Sequence, residues 1–551
     1  MENIADTAET VTISRTEYES LKQQISWLIE QLKLSRRRQF GVSSEKSDYS
    51  QLNFFDSSDP NLFDEAEDNS DNSDKEPDIE EVKAYRRKKA RTSADRLPPD
   101  LPVEIIEHQL SDDEQTCPEC GGHLHVMGHE VREELKLIPA KAVIIRHIRN
   151  IYACRDCEKN AQSVPIVKAP MPEPVIKGSF ASPEAVAHIA VQKFVMGVPL
   201  YRQEQEWDRN GVKLSRQTMS NWLIKSAEDW LKPIYDRLHE FLCDGGVAHA
   251  DETTVQVLRE PGKTAQSKSY MWLYRTSGDA ERPADAGTAF PSAAGAEHIT
   301  GGDSEHQTGG NAKHPIVLYE YQPSRSGDHP AEFLKNFKGF LHTDGWSAYH
   351  SGLPGSITVV GCWAHVRRKF DEALMATPEK DRIGSEALHG KHLCDQLFSL
   401  ERNFSELPAD DNFNARYSAR IERSKPLMDD FFAWAGKSRA LPKTLLGRAV
   451  KYALDQRRWL ENVLLDGRLE LSNNRAERSI KPFVIGRKNW LFNNTPKGAT
   501  ASAMIYSIIE TAKENGLNPY EYLTYIFRAA PNLLDKNQVD DLLPWNMSRQ
   551  D

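Results

Sequence analysis

Hydrophobic and polar residues alternate in five short runs between residues 247 and 360. Alternation with a period of two is typical of β-strands, and a helical period near Ala331 to Phe337 interrupts these runs. Strands interspersed with helices predict a mixed sheet flanked by helices. The predicted strands are Val247–Asp251, Ser269–Tyr274, Ile316–Tyr321, Gly339–Thr343 and Ile357–Val360.

Helical periodicity dominates residues 182–225, about 364–470 and 501–543. In the first of these segments Gly197 and Gly211 interrupt the helical pattern, which suggests a helix-turn-helix unit. A plain helical subdomain is an equally good interpretation. If the unit does bind DNA, the polar residues at the start of its last helix would face the major groove: Ser215, Arg216, Gln217, Ser220 and Asn221.

Near the N-terminus, hydrophobic residues recur at alternating spacings of three and four: Tyr18, Leu21, Ile25, Leu28 and Leu32. This spacing predicts a helix with a coiled-coil seam that could pair two protomers. Because only two heptads are present, a single amphipathic helix packed on its own domain fits equally well.

Charge is distributed unevenly along the 551 residues. Residues 48–81 carry a net charge of −12, which leaves the rest of the chain at about +1 (−11 minus −12). The acidic tract is poor in hydrophobic residues, which is typical of a disordered linker. A basic run from Tyr85 to Arg91 follows it and either contacts DNA or offsets the acidic charge. No stretch resembles a membrane span or a secretory leader, so we expect a cytoplasmic, nucleoid-associated protein.

Four of the seven cysteines form two CxxC pairs, Cys117 with Cys120 and Cys154 with Cys157. Each pair can place two thiolates on one turn, and two such turns supply the four-sulfur shell of structural Zn²⁺. The intervening residues, including 142–152, have the pattern of β-strands. The sequence therefore predicts a zinc ribbon with these four cysteines as ligands.

Acidic residues end two of the predicted strands, Asp251 in HADET and Asp344 in HTDGW. If the strands are neighbours, both carboxylates lie at one edge of the sheet and could hold the Mg²⁺ ions used to cleave phosphodiesters. Glu477 is the candidate third ligand, since helical spacing places it on one face with Asn473 and Lys481. Taken singly, each acid also fits an ordinary role as a strand-end, turn or helix-capping residue.

Several longer motifs resemble transposases of the insertion sequence 66 family, in the family's order and over nearly the whole chain. They are LFDEAE, CPECGG, ADET, HTDGW, GCWAHVRRKF, NNRAERSIKPFVIGRKNWLF, AMIYSIIETAKENGLNPYEYL and LLPWN. The resemblance implies a multidomain α/β protein with a ribonuclease H-like catalytic core and a helical insertion before its last acidic residue. It also implies an Asp/Asp/Glu triad, which matches Asp251, Asp344 and Glu477.

The resemblance further implies a transposase that uses two Mg²⁺ or Mn²⁺ ions to cut element ends and join the 3′-hydroxyl to target DNA. Glu252 and Glu372 are alternatives to Glu477, the weakest match. The expected partners are the terminal inverted repeats and target DNA, further copies of the chain, and accessory proteins of the element. Expected DNA contacts are Arg216, Gln217, Arg367, Arg368, Arg478, Lys481, Arg487 and Lys488, with His365 as a further candidate.

The predicted organisation divides the chain into six segments. They are an N-terminal helix (1–46), an acidic linker with a basic run (47–100), a zinc ribbon (101–180), a helix-turn-helix-like region (181–243), a catalytic core with a helical insertion at about 367–470 (244–500) and a C-terminal helical domain (501–551). Two other functions fit the same motifs: a DNA-binding repressor with a silent core, and a nuclease that hydrolyses DNA without joining it.

Overall fold

The computed structural model describes residues 142–153, 166–277, 314–404, 412–533 and 536–547. The predicted N-terminal helix, the acidic linker with its basic run and the four CxxC cysteines lie outside the described residues. Contacts divide the chain into two compact units. The smaller one includes the antiparallel strands β1 (Ile151–Ala153) and β2 (Ile166–Lys168). Residues 142–150, which we predicted to be β-strand, have no regular secondary structure.

Five strands form the central sheet of the larger unit, and all five predicted strands are present. They are β3 (Val247–Gln256), β4 (Lys268–Thr276), β5 (Val317–Gln322), β6 (Gly339–His342) and β7 (Ile357–Val360). Their order across the sheet is β5-β4-β3-β6-β7. Strands β3, β4 and β5 are antiparallel neighbours, whereas β6 lies parallel to both β3 and β7.

Among the described residues, the helices before the sheet are α1 (Pro183–Phe194), α2 (Leu200–Arg209), α3 (Arg216–Ser226) and α4 (Lys232–Asp244), with a π-helical turn (Ala227–Leu231) between α3 and α4. Ser182 caps α1, since its hydroxyl accepts the Ala185 N–H at 3.1 Å and Pro183 occupies the first turn. Ser215 caps α3 in the same way, through the Thr218 N–H. The helical pattern predicted from residue 182 and its interruption at Gly211, before α3, are therefore both present.

Short helices α5 (Asp328–Phe333) and α6 (Ala348–Ser351) connect the later strands. A long helical segment then follows β7. It contains α7 (Trp363–Ala376), α8 (Glu379–Arg382), α9 (Glu386–Phe404), α10 (Asn412–Ala419), α11 (Lys425–Ala435) and α12 (Leu445–Leu460). Its own hydrophobic core includes Trp363, Phe370, Phe398 and Phe431.

The chain returns to the sheet with α13 (Asn474–Trp490), α14 (Pro496–Glu514) and α15 (Pro519–Ala529). Helix α14 is buried on nearly all sides from Ala499 to Ala512 and covers the edge strand β5. Two of its hydroxyl groups, those of Ser507 and Thr511, accept N–H groups of β5 at 2.7 and 3.0 Å, so these edge groups are paired. No helix among the described residues is long and apolar enough to cross a membrane.

Candidate catalytic site

Two His-x-Asp sequences lie side by side on the parallel strands β3 and β6. His249 pairs in register with His342, and Asp251 and Asp344 each follow two residues later. The prediction that Asp251 ends its strand is wrong, because β3 continues to Gln256 and Asp251 pairs with Leu273 of β4. The parallel pairing with β6 does stop at His249, but Asp344 still lies close enough to Asp251 for its charge to raise the pKa of Asp251.

Glu477 reaches the same edge of the sheet from the first turn of α13. The buried side chain of Asn473, just before this helix, fixes its start against β3. Its Nδ2 donates to the Ala250 carbonyl at 2.8 Å, and its Oδ1 lies 3.1 Å from Nδ1 of His249. The helix that carries Glu477 is thus hydrogen-bonded to the residue that immediately precedes Asp251.

The electrostatics of the site reflect this convergence. Burial raises the pKa of Asp251 well above its usual range, and the nearby charges of Glu252, Glu477 and Asp344 raise it further. Burial also raises the pKa of Asp344, although the Trp346 N–H, at 2.9 Å from Oδ1, partly opposes this. Carboxylates that repel one another at a buried edge favour the binding of a cation.

Glu252 is a fourth acid at the site, with a side chain only 3% exposed. Arg325 pairs with it at 2.5 Å and the Tyr349 hydroxyl donates to it at 2.7 Å. Burial and the charge of Asp344 nevertheless raise the pKa of Glu252 to about 7. Arg325 also lies 4.6 Å above the ring of Trp346. Glu372, the other alternative acid, is exposed on α7.

A thiol and an imidazole adjoin Glu477 on its other side. Nε2 of His365 is 3.8 Å from Oε1 of Glu477, and the Cys362 Sγ accepts the Asn473 N–H at 3.2 Å. Among the residues that the structure describes, one group of three potential metal ligands has all its ligand atoms within 4.8 Å of one another: Cys362, His365 and Glu477. Asp251, Asp344 and Glu477 do not form such a group, so the three acids surround a wider space.

Exposed basic residues line the outer face of α13. Arg478, Lys481 and Lys488 are exposed, and their spacing of three and seven residues places them along one side of the helix. Arg487 instead turns inward, where its guanidinium donates to the Thr254 carbonyl and hydroxyl. The structure therefore leaves three of the four predicted DNA contacts on this helix accessible.

The basic residues of α7 also differ in their surroundings. Arg368 lies close enough to Asp344 to lower the pKa of that carboxyl, against the larger effect of burial. Arg367 is 11% exposed and pairs with Asp395 at 2.5 Å. Burial, together with Arg368 and Lys369, lowers the pKa of His365 well below its usual range, which keeps this imidazole neutral.

The predicted recognition residues Arg216 and Gln217 are exposed in the first turn of α3. The Arg216 guanidinium lies 4.0 Å from Glu204 of α2 and 5.6 Å from the centre of the Tyr201 ring. Gln217 donates to Asn221 at 3.1 Å. These contacts hold the polar face of α3 together and leave it open to solvent.

Two buried histidines at the site, His249 and His342, were not among the residues predicted from the sequence. The rings of His249 and His342 stack at 4.4 Å beneath the aspartates, and burial lowers the pKa of His249 to about 4. Glu470 donates its N–H to Nε2 of His342 at 3.3 Å, which ties this pair to the segment before α13. The signal was present, because both HADET and HTDGW contain His two residues before Asp.

A sheet edge that gathers buried carboxylates beside a row of exposed cations is typical of enzymes that act on nucleic-acid phosphates. Comparison with known families identifies which one. The family described as "Transposase IS66 family" matches residues 178–501, and the chain belongs to this family. Membership implies a function in the transposition of an insertion sequence.

Three further family descriptions match the flanking segments. The zinc-finger binding domain of transposase IS66 matches residues 114–158, a span that contains all four CxxC cysteines. The IS66 C-terminal element matches residues 507–545. The last of the three, described as "Transposase C of IS166 homeodomain", matches residues 27–106.

Two similar proteins come from Sinorhizobium fredii (strain NBRC 101917 / NGR234). Uncharacterized protein y4jD is 31% identical over 484 residues, which cover 86% of each chain. Uncharacterized protein y4qI is 30% identical over 456 residues, which cover 80% of this chain and 75% of that protein. The similarity therefore extends over most of the sequence.

Proposed function

We propose that this transposase catalyses metal-dependent cleavage of the ends of its insertion sequence and joins them to target DNA. Asp251, Asp344 and Glu477 are the proposed catalytic residues. The observation that carries the proposal is the electrostatic coupling of Asp251 to both other acids. Residues 93 and 226 positions away can influence its ionisation only if all three converge in the fold.

The sheet topology supports a ribonuclease H-like core. Three antiparallel strands are followed by two parallel strands on the far side of β3. The helical segment between β7 and α13 corresponds to the insertion expected before the last acidic residue of the triad. In this arrangement the aspartates come from adjacent strands and the glutamate from a helix packed on the sheet.

The donor set fits two Mg²⁺ or Mn²⁺ ions. All three proposed ligands offer carboxylate oxygens, which hard cations prefer, and two ions about 3.5–4 Å apart do not require all three oxygens within one coordination shell. When bound, such ions supply an activated water and stabilise the charge on the leaving oxygen. Arg325 compensates the charge of Glu252, which leaves that acid in a supporting position.

The exposed cations give the proposed DNA partner its contacts. Arg478, Lys481 and Lys488 would bind phosphates of the element end, with Arg368 beside Asp344 near the scissile bond. Arg216 and Gln217 would read base edges in the terminal repeats. Cys117, Cys120, Cys154 and Cys157 would hold one structural Zn²⁺. Further copies of the chain and accessory proteins of the element are the other proposed partners.

Asp344→Ala tests the proposal on DNA that carries an element end. Loss of a metal ligand removes several kcal/mol of transition-state stabilisation, so Mg²⁺-dependent cleavage should fall by about 1000-fold or more. DNA binding should persist, since no predicted DNA contact is changed. The exposed Asp328 provides a matched control, and Asp328→Ala should cleave like the wild type.

Cleavage by Asp344→Ala at the wild-type rate would refute the assignment of the triad. Joining is measured separately, by incubating a pre-cut end with plasmid DNA. A wild-type protein that cleaves ends and never joins them would be a nuclease, and the strand-transfer part of the proposal would then be wrong.

A further inference from the structure

Cys362 and His365 begin the helix that directly follows the last strand of the sheet. Cys362 is the residue before α7, and His365 lies in its first turn. A spacing of three residues places both side chains on one side of a helix start. Glu477 approaches that side from α13, which gives the cluster a sulfur, a nitrogen and an oxygen ligand.

The ligand atoms are close to the spacing that a tetrahedral metal needs. They lie within 4.8 Å of one another, whereas ligands at usual zinc bond lengths are roughly 3.3–3.8 Å apart. Reaching those distances requires side-chain movements that shorten each pair by at most about 1.5 Å. All three side chains are at most partly exposed, since Cys362 is buried and those of His365 and Glu477 are 16% and 14% exposed.

Hydrogen bonds orient the sulfur. The Asn473 N–H points to the Cys362 Sγ at 3.2 Å, and the nearby backbone N–H groups of Ala364 and His365 lower the pKa of this thiol, against the larger effect of burial, which raises it. Such N–H groups around a sulfur are the outer contacts that hold a thiolate ligand in place. In addition, Nε2 of His365 faces Glu477 at 3.8 Å, and the other ring nitrogen, Nδ1, is buried without a hydrogen-bond partner.

We propose that Cys362, His365 and Glu477 form an inhibitory site for a thiophilic divalent cation such as Zn²⁺. Binding displaces the thiol proton of Cys362 to solvent, and one coordination position stays open to water. The inhibitory role rests on the proposed function, because Glu477 belongs to both sites. Zn²⁺ that holds Glu477 against Cys362 and His365 withdraws it from the Mg²⁺ ions beside Asp251.

Zinc content tests the site without any measurement of activity. Reduced full-length protein is dialysed against Zn²⁺ with Mg²⁺ in excess, and bound zinc is counted by atomic emission. The wild type should bind one more equivalent than Cys362→Ser or His365→Ala, whose affinity at this site should fall by at least about 100-fold. Zinc held by the four CxxC cysteines is common to every variant and cancels in the comparison.

Matched controls separate this site from a general loss of structure. Cys394 is another buried thiol, and His392 is an exposed imidazole on the same helix, α9. Cys394→Ser and His392→Ala should bind as much zinc as the wild type. Equal zinc content in the wild type, Cys362→Ser and His365→Ala, with all three folded by circular dichroism, would overturn the proposal.

Inhibition is measured as the ratio of end cleavage with and without Zn²⁺ in the same variant. Zn²⁺ should lower end cleavage by the wild type at least tenfold, and it should lower end cleavage by His365→Ala much less. If zinc binds and the ratio stays at one, the inhibitory role is wrong. If no variant cleaves DNA in Mg²⁺ alone, the proposed function fails, whereas the zinc count still decides whether the metal site exists.

Discussion

Gly345 follows Asp344 directly, and a side chain from the helical segment occupies the space beside it. A Cβ added at Gly345 would lie 2.6 Å from the hydroxyl oxygen of Tyr452 and 2.7 Å from its ring. Both distances are shorter than van der Waals contact, so either the ring or the loop must move. Tyr452 on α12 thereby fixes the position of the loop that carries Asp344.

Gly345→Ala should therefore impair catalysis. Overpacking of this kind costs about 1–3 kcal/mol of stability, and a displacement of Asp344 by about 1 Å reduces cleavage by about 100-fold. Urea unfolding and end cleavage measure the two effects. Gly355→Ala is the control, because a Cβ there meets nothing within 4 Å. If Gly345→Ala cleaves as well as Gly355→Ala, Tyr452 does not constrain the loop.

At the residue scale, the proximity of Asp251 to Asp344 and Glu477 could be predicted from the sequence with the help of the family resemblance, although Asp251 lies within its strand and not at its end. The sequence alone could not predict which basic residues stay accessible. Arg367 and Arg487 are basic residues next in sequence to Arg368 and Lys488. Arg367 nevertheless pairs with Asp395, and Arg487 binds the backbone of β3. Such pairings join residues 28 and 233 positions apart and depend on the tertiary fold.

At the scale of elements, strand β5 contains an acidic residue, Glu320, whose carboxylate is unfavourably buried. Burial raises the pKa of Glu320 to about 7. One carboxyl oxygen accepts the Gln322 amide at 2.7 Å, which partly opposes the rise, and the other oxygen is buried without a partner. The folded state therefore holds a proton that the unfolded state releases near pH 4.3. This contribution to stability is complete below about pH 4.3 and is lost as pH rises to about 7.

Glu320→Gln should remove that pH dependence. The substitution should stabilise the protein by about 2 kcal/mol more at pH 8 than at pH 5, measured as the difference in free energy of unfolding in urea. Glu379→Gln, at an exposed position on α8, should show no such difference. An equal effect of Glu320→Gln at both pH values would mean that Glu320 ionises normally in the fold.

The existence of all five strands of the sheet was predictable, but the extent of β3 was not. Residues after Asp251 are polar, as in Glu252-Thr253-Thr254, and do not alternate with hydrophobic residues. These residues form a strand because β4 pairs with them, as far as the pair of Gln256 with Lys268, and because Arg487 of α13 hydrogen-bonds to Thr254. A strand extended by its neighbours leaves little signal in its own hydrophobic pattern.

At the scale of the whole molecule, the helical segment between β7 and α13 contributes directly to the site. The buried Arg420, in a π-helical turn between α10 and α11, pairs with Glu401 of α9 at 2.6 Å. It also donates to the carbonyl groups of Val463, Asp466 and Leu469. These carbonyls belong to the stretch of chain that leads into α13 and Glu477. Sequence periodicity predicted the helices but not this connection, which joins parts up to 49 residues apart.

Arg420→Met should consequently destabilise the protein and the site together. Removing one partner of a buried ion pair costs about 3–5 kcal/mol. Glu401 and three carbonyl groups lose their donor, and among the described residues only Arg416 still pairs with that acid. Urea unfolding should show this loss.

Cleavage should fall even where the variant remains folded, because the stretch of chain that leads into α13 and Glu477 loses its hydrogen bonds to Arg420. Arg423→Met, in the same turn but exposed, should change neither. A folded Arg420→Met protein with wild-type cleavage would show that the position of Glu477 is set by α13 and the sheet alone.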